Sequence, residues 1–180
     1  MGILLTILYI IGGIIVLFLL IALLTKKEFS LERTIVINRS RAEVFNYARM
    51  LKNQEQYSVW VMKDPAIKLV YTGTDGTVGA KSAWESNDKN VGVGEQEIIE
   101  LVDGQQIKTE VRFKKPFEGT SYALNTFTDE GSGQAKITQS FSGRSKFPMN
   151  VMNLVMDKMV GRDMQRNLEN MKNNLEKNNL

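Results

Sequence analysis

The sequence predicts an α+β fold in which an antiparallel sheet is closed by a long C-terminal helix, with a membrane-spanning segment ahead of both. Three observations carry this. Residues 67–142 read as consecutive short strands parted by turn residues, with too little chain between them for the crossover that parallel pairing needs. From Phe147 to about Lys177 the apolar residues fall at Met152, Met156, Met159, Met164, Leu168, Met171 and Leu175. Steps of three and four, with one of five reaching Met164, are the spacing of one helix face. Residues Ile3 to Leu24 carry no charged side chain and only Thr6 and Tyr9 as polar ones.

That apolar run makes roughly 33 Å of helix at 1.5 Å per residue, which matches a hydrocarbon core about 30 Å thick. It reads as a permanent anchor rather than a cleaved signal peptide. No Lys or Arg precedes it, it exceeds the usual signal core, and no small-residue cleavage site follows. Lys26 and Lys27 come directly after it, so the positive-inside rule predicts a single-pass protein with its folded domain in the cytoplasm. The expected organisation is an anchor and linker over 1–28, one domain over 29–177 and a frayed tail over 178–180.

Within the domain, Phe29–Asn38 has the β-branched content of a strand. Ser40 followed by Glu43 has capping-box spacing and predicts a short helix through Val44, Phe45, Tyr47 and Ala48. A second short helix is expected over Lys52–Tyr57, ending near Trp60. The meander strands are then Ile67–Tyr71, Ala80–Ser86, Gly92–Leu101, Gln106–Lys114, Thr120–Thr128 and Gln134–Ser142, with breaks such as Asp103-Gly104 and Gly131-Ser132-Gly133. Such a sheet has one face to bury, and the helix from Phe147 is the remaining element long and apolar enough to cover it.

Composition narrows the chemistry. The 180 residues include neither cysteine nor histidine, which removes disulfides, thiolate nucleophiles and the commonest general base and metal ligand. No metal site and no cofactor are expected. The net charge of +3 is spread along the chain without basic runs interleaved with aromatics, so nucleic acid is not an expected partner. The glycines at 92, 94, 131 and 133 do not lead into a helix N-terminus and read as turns and bulges rather than phosphate loops.

The order of these elements and three local stretches resemble the START-like, or SRPBCC, superfamily, which includes the polyketide cyclase/dehydrase and lipid-transport group. Residues Glu32 to Trp60, with the Val44-Phe45 pair, are similar to its opening strand and capped helix. Gly92 to Leu101 is similar to a middle strand, and Asn167 to Glu176 resembles the closing L-x-x-L-K signature with Met171 in place of the second leucine. The resemblance implies a helix-grip fold, a curved sheet wrapped around the C-terminal helix with an apolar cavity between them. It also implies binding of lipids, sterols, polyketides or other hydrophobic molecules, with catalysis in some members.

Candidate ligand-facing residues are Trp60, Tyr71, Trp84 and Tyr122 on the sheet side, with Met152, Met156 and Met159 expected to face them from the helix. Trp84 shares its strand parity with Ala80 and Ser82, a mixture of large and small residues that leaves room over a concave face. Glu95 and Glu97 share a face that Ile99 and Leu101 are expected to continue, and Glu110 and Arg112 share one with Lys108. Both sets read as solvated strand faces, so no catalytic residue is assigned. The functional expectation is a membrane-anchored domain, held by residues 3–24, that binds a hydrophobic small molecule or lipid between sheet and helix. The alternatives are a cyclase/dehydrase-like enzyme working without His or Cys, and a scaffold or stress-response domain without an open cavity.

Overall fold

The computed structural model describes residues 2–177, so the expected frayed tail lies outside the described residues. The apolar run forms α1, Gly2–Leu24, a helix long and apolar enough to cross a membrane. Ala22 is its one buried residue among those described. Strand β1, Glu28–Ile37, begins after only three further residues. It is followed by α2, Arg41–Arg49, whose Ser40 cap closes the predicted capping box. The Ser40 side chain accepts from the Glu43 amide, and the Glu43 carboxylate accepts from the Ser40 amide at 3.0 Å. A 3₁₀ turn at Leu51–Asn53 then leads into two very short helices, α3 at Gln54–Tyr57 and α4 at Val59–Lys63.

The meander follows as β2 Lys68–Thr72, β3 Lys81–Glu85, β4 Val93–Val102, β5 Gln106–Lys115, β6 Gly119–Asp129 and β7 Ala135–Arg144. All neighbours pair antiparallel, in the order β1-β7-β6-β5-β4-β3-β2, so the first strand returns beside the last and β1 and β2 form the two edges. The chain closes with a helical passage that changes character three times. A 3₁₀ turn at Met149–Met152 passes into α5, Asn153–Met156, then a π turn at Asp157–Gly161, then α6, Arg162–Lys177. A π turn inserts one extra residue per turn, and it falls where the apolar spacing lengthens to five between Met159 and Met164.

The core fills one end of this grip. Ile37, Ile98, Ile107, Phe127 and Ile137 on the inner sheet face meet Val44 and Phe45 of α2 and Leu168, Met171 and Leu175 of α6. Phe45 and Phe127 pack edge to face at 5.4 Å between centroids. Hydrogen bonds from α6 hold the small helices. The Val59 amide donates to Asn167 Oδ1 at 2.8 Å, Asn170 Nδ2 donates to the Tyr57 carbonyl at 3.1 Å, and Asn174 Nδ2 donates to the Gln56 carbonyl at 3.0 Å. Asparagines at i, i+3 and i+7 lie on one helix face, so a single polar stripe satisfies the backbone of a segment too short to satisfy its own.

At the other end α1 is fastened to the domain. Asn150 is fully buried, and its Nδ2 donates to the carbonyls of Ala22 at 2.7 Å and Thr25 at 2.8 Å. The Ala22 carbonyl is one of the last of α1, which no later turn of that helix can satisfy, and Thr25 opens the connection to β1. Asn153 Nδ2 donates to the carbonyls of Lys26 at 3.0 Å and Lys27 at 3.1 Å, and the Ser145 amide donates to Lys27 at 2.8 Å. Every carbonyl of the three-residue connection is therefore held by the segment Ser145–Asn153.

Candidate functional site

Register decides which side chains face the helix. Across the sheet, Tyr71 stands opposite Ser82, Ser82 opposite Gln96, Gln96 opposite Val111 and Val111 opposite Ser121. One row further along, Leu69, Trp84, Gly94 and Phe113 stand in line. These rows belong to the inner face because alternation links them to the buried Ile98, Ile107 and Phe127. Tyr71, Trp84, Gln96, Val111, Phe113, Ala123, Asn125, Gln139 and Phe141 are all inner-facing yet only half-buried. The end of the sheet near Ile37 and Ile137 is buried against α6, and this middle and far part of the inner face forms a half-buried trough.

Trp84 is fixed there. Its Nε1 donates to the Val91 carbonyl at 3.2 Å, its ring meets Phe113 edge-on at 6.0 Å, and it lies across Gly94. A Cβ at Gly94 would run into the indole and sit 2.7 Å from the Arg112 carbonyl. Gly94→Ala is therefore expected to cost about 1–3 kcal/mol as an overpacked site and to change the tryptophan emission of the folded protein. Thermal unfolding followed by fluorescence checks both, and an unchanged midpoint would show that Trp84 is free to move.

Polar groups cross the same trough. Gln54 and Gln96 exchange amide hydrogen bonds at 2.6 and 3.3 Å, joining α3 to β4. Gln139 Nε2 donates to Asn125 Oδ1 at 3.0 Å, and Gln139 stands opposite Arg33 of β1. The Arg33 guanidinium reaches up to the π turn and donates to Asp157 Oδ1 at 2.7 Å. Gly161 makes room for it, since a Cβ there would lie 2.8 Å from Arg33 Cζ. At the sheet edge, the Tyr71 hydroxyl donates to Glu55 Oε1 at 2.8 Å. Burial and then the Glu55 carboxylate push its pKa above the ordinary phenol range, so it is a neutral donor at physiological pH and not a base.

Of the expected ligand-facing residues, Tyr71 and Trp84 join the trough, and Trp60 lies half-buried in α4. Tyr122 does not join it. It stands opposite Glu110 and Ser142 on the outer face, with Lys108 Nζ 5.9 Å from its ring centroid. The methionines are also displaced from the expectation. Met156 is half-buried, while Met152 and Met159 are exposed, and Met164 and Met171 are the buried ones. The early part of the passage is tied through Asn150 and Asn153 to the end of α1 and the connection after it, so its apolar side is not laid on the sheet as that of α6 is.

Arg33, Gln54, Gln96, Asn125 and Gln139 were not singled out from the sequence. Strand parity with Leu31, Ile98, Phe127 and Ile137 was the signal that would have found four of them.

The acidic candidates face the other way. Glu95, Glu97 and Glu110 all surround Arg112 on the outer face. Arg112 Nε donates to Glu95 at 2.9 Å and Nη2 to Glu97 at 2.8 Å, and Nη1 pairs with Glu110. Lys114 and Lys81 add ion pairs to Glu95 and Glu97 at 2.7 and 3.3 Å. The Lys114 hydrogen bond leads in holding the Glu95 carboxyl below its usual range, and the Arg112 bond does so for Glu97. Carboxylates kept ionised by cations are poor proton donors. The expected continuation of this face through Leu101 is corrected, because a register shift between Ile98 and Glu100 turns Leu101 inward opposite Ile107.

The profile of one protein family, described as polyketide cyclase / dehydrase and lipid transport, matches residues 28–176. No curated protein matches the sequence. Among solved structures, norcoclaurine synthase from Thalictrum flavum in complex with dopamine and hydroxybenzaldehyde is similar at a TM-score of 0.66 and 10% identity, covering 87% of this chain and 91% of that one. Protein MLL2253 from Mesorhizobium loti is similar at 0.60 and 14% identity, over 84% and 100% of the two chains. Protein CV1439 from Chromobacterium violaceum is similar at 0.56 and 15% identity, over 81% and 94%. At these identities the likeness is one of fold.

Proposed function

The chain belongs to the polyketide cyclase/dehydrase and lipid transport family, within the START-like superfamily, and on that premise we propose that it is a membrane-anchored module that holds a hydrophobic small molecule or lipid between its sheet and its C-terminal helical passage. The observation that carries the reading is the trough itself. Trp84, Phe113, Val111 and Phe141 face inward on a curved sheet and are nevertheless only half-buried, next to an α6 whose apolar side chains are spent on the opposite end. Apolar surface left this way gains roughly 25 cal/mol per Å² when a ligand covers it. Arg33, Asn125, Gln139 and the Gln54–Gln96 pair supply a few fixed polar contacts of the kind that orient a mostly apolar ligand. The single-pass, cytoplasm-facing topology belongs to the same proposal and rests on α1 and on Lys26 and Lys27.

The enzyme alternative draws no support from the acidic residues, which lie on the outer face with their charges neutralised. Native mass spectrometry of residues 28–180, expressed without α1 and incubated with a lipid extract, tests the reading. Adducts that survive desolvation are expected, together with quenching of tryptophan emission on binding. An apo mass alone would favour the scaffold alternative.

A further inference from the structure

We propose that the exposed apolar side of the helical passage from Phe147 to Met159 lies in the bilayer interface, so that the domain rests on the membrane through a second element besides α1. Phe147, Met149, Met152, Leu154, Val155 and Met159 are each between 39% and 62% exposed. Large apolar side chains gathered on one short segment of an otherwise polar surface mark an interaction site. The occupant follows from the junction. Gly2–Leu24 makes about 35 Å of helix against a core of about 30 Å, which puts its last turn at the boundary.

Asn150 binds the Ala22 carbonyl in that same turn and the Thr25 carbonyl just after it. Leu154 lines, with Ile21 and Leu24, an open cleft of about 580 Å³ that runs along the free edge of β1 to Phe29 and Leu31. The apolar patch therefore begins at the depth where the anchor leaves the hydrocarbon. Lys26, Lys27, Lys146 and Lys158 are exposed around it, as suits an element that seats its apolar side about 5–10 Å into the interface and turns cations toward anionic headgroups.

This inference rests on α1 crossing a bilayer, and the experiment separates the two. The protein contains no cysteine, so single-cysteine variants of the full chain can be labelled without background. Leu154→Cys and Met159→Cys report the patch, Ile14→Cys reports the middle of α1, and Val70→Cys, exposed on the opposite edge strand, reports the far side of the domain. Each is labelled with a small fluorophore and reconstituted into nanodiscs of phosphatidylcholine and phosphatidylglycerol carrying a shallow or a deep nitroxide lipid. The expected result is several-fold stronger quenching by the shallow nitroxide at 154 and 159 than at 70, with loss of quenching by aqueous iodide, while 14 responds to the deep nitroxide. Labels at 154 and 159 that behave like 70 while 14 stays deep overturn the proposal and leave the anchor standing. A label at 14 that behaves like 70 removes the anchor and the proposal together. Shielding of 154 and 159 from both iodide and nitroxide lipids means that protein, such as a second copy of the chain, covers the patch, and this also overturns it.

Discussion

Replacing Leu168 with alanine is expected to lower the stability of the domain by about 2–5 kcal/mol, the range for emptying a fully buried leucine site. Leu168 is completely buried at the centre of the contact between α6 and the inner sheet face. Its neighbours include β-branched and aromatic side chains locked in rotamers, which collapse poorly into a cavity. Met152→Ala and Met159→Ala, in the same helical passage and of similar apolar bulk, are expected to shift stability by no more than about 0.5 kcal/mol because both side chains are exposed. Urea unfolding of the full chain in detergent, followed through Trp60 and Trp84, measures all three. Comparable losses at 152 and 168 would mean that the early part of the passage packs on the sheet after all, and the trough would close with it.

The second large effect is expected at Asn150. Asn150→Ala leaves the Ala22 and Thr25 carbonyls without their donor in a buried setting, at a cost of about 1–3 kcal/mol for each group that water cannot reach. Asn150→Asp should be worse, because an ionised carboxylate then faces two carbonyl oxygens, and acidification should recover part of the loss by returning a proton to donate. The wild-type Oδ1 has no partner of its own, so the whole contribution of this side chain lies in its Nδ2. Hydrogen exchange in detergent or nanodiscs reads the outcome, with faster exchange expected over 25–27 and 149–152 and little change in β4 to β6. Unchanged exchange in both variants would show that something other than Asn150 holds the junction.

Much of this architecture was legible in the sequence because local chemistry and tertiary role agree. Ser40 and Glu43 cap a helix wherever they stand in that spacing, and Asp103-Gly104 ends β4 by its own conformational preferences. The apolar run of α1 needs no partner to be recognised. What the sequence concealed were distant ties and changes of phase. The step of five before Met164 marks the π turn at Asp157–Gly161, but nothing in the spacing shows that Asn150 and Asn153 tie the passage before it to the end of α1, which leaves Met152 and Met159 exposed. The bulge after Ile98 shifts the two-residue period and turns Leu101 inward. Tyr122 is a large aromatic within a strand, but its parity relative to Ser121 and Phe127 sends it outward. The polar contacts of the trough escaped notice because Gln54 and Gln96 acquire a meaning only when α3 is laid over β4.

The three-residue connection between α1 and β1 couples rotation as well as position. A helix turns by about 100° per residue, so one residue inserted before Leu24 would swing the lipid-facing circumference of α1 by more than a quarter turn relative to the domain. With the carbonyls of Thr25, Lys26 and Lys27 all clamped, the domain has no swivel to absorb that twist. If α1 spans a bilayer as proposed, whatever neighbours its flanks select there dictate the compass bearing of the trough, and α1 acts as a keyed shaft rather than a tether.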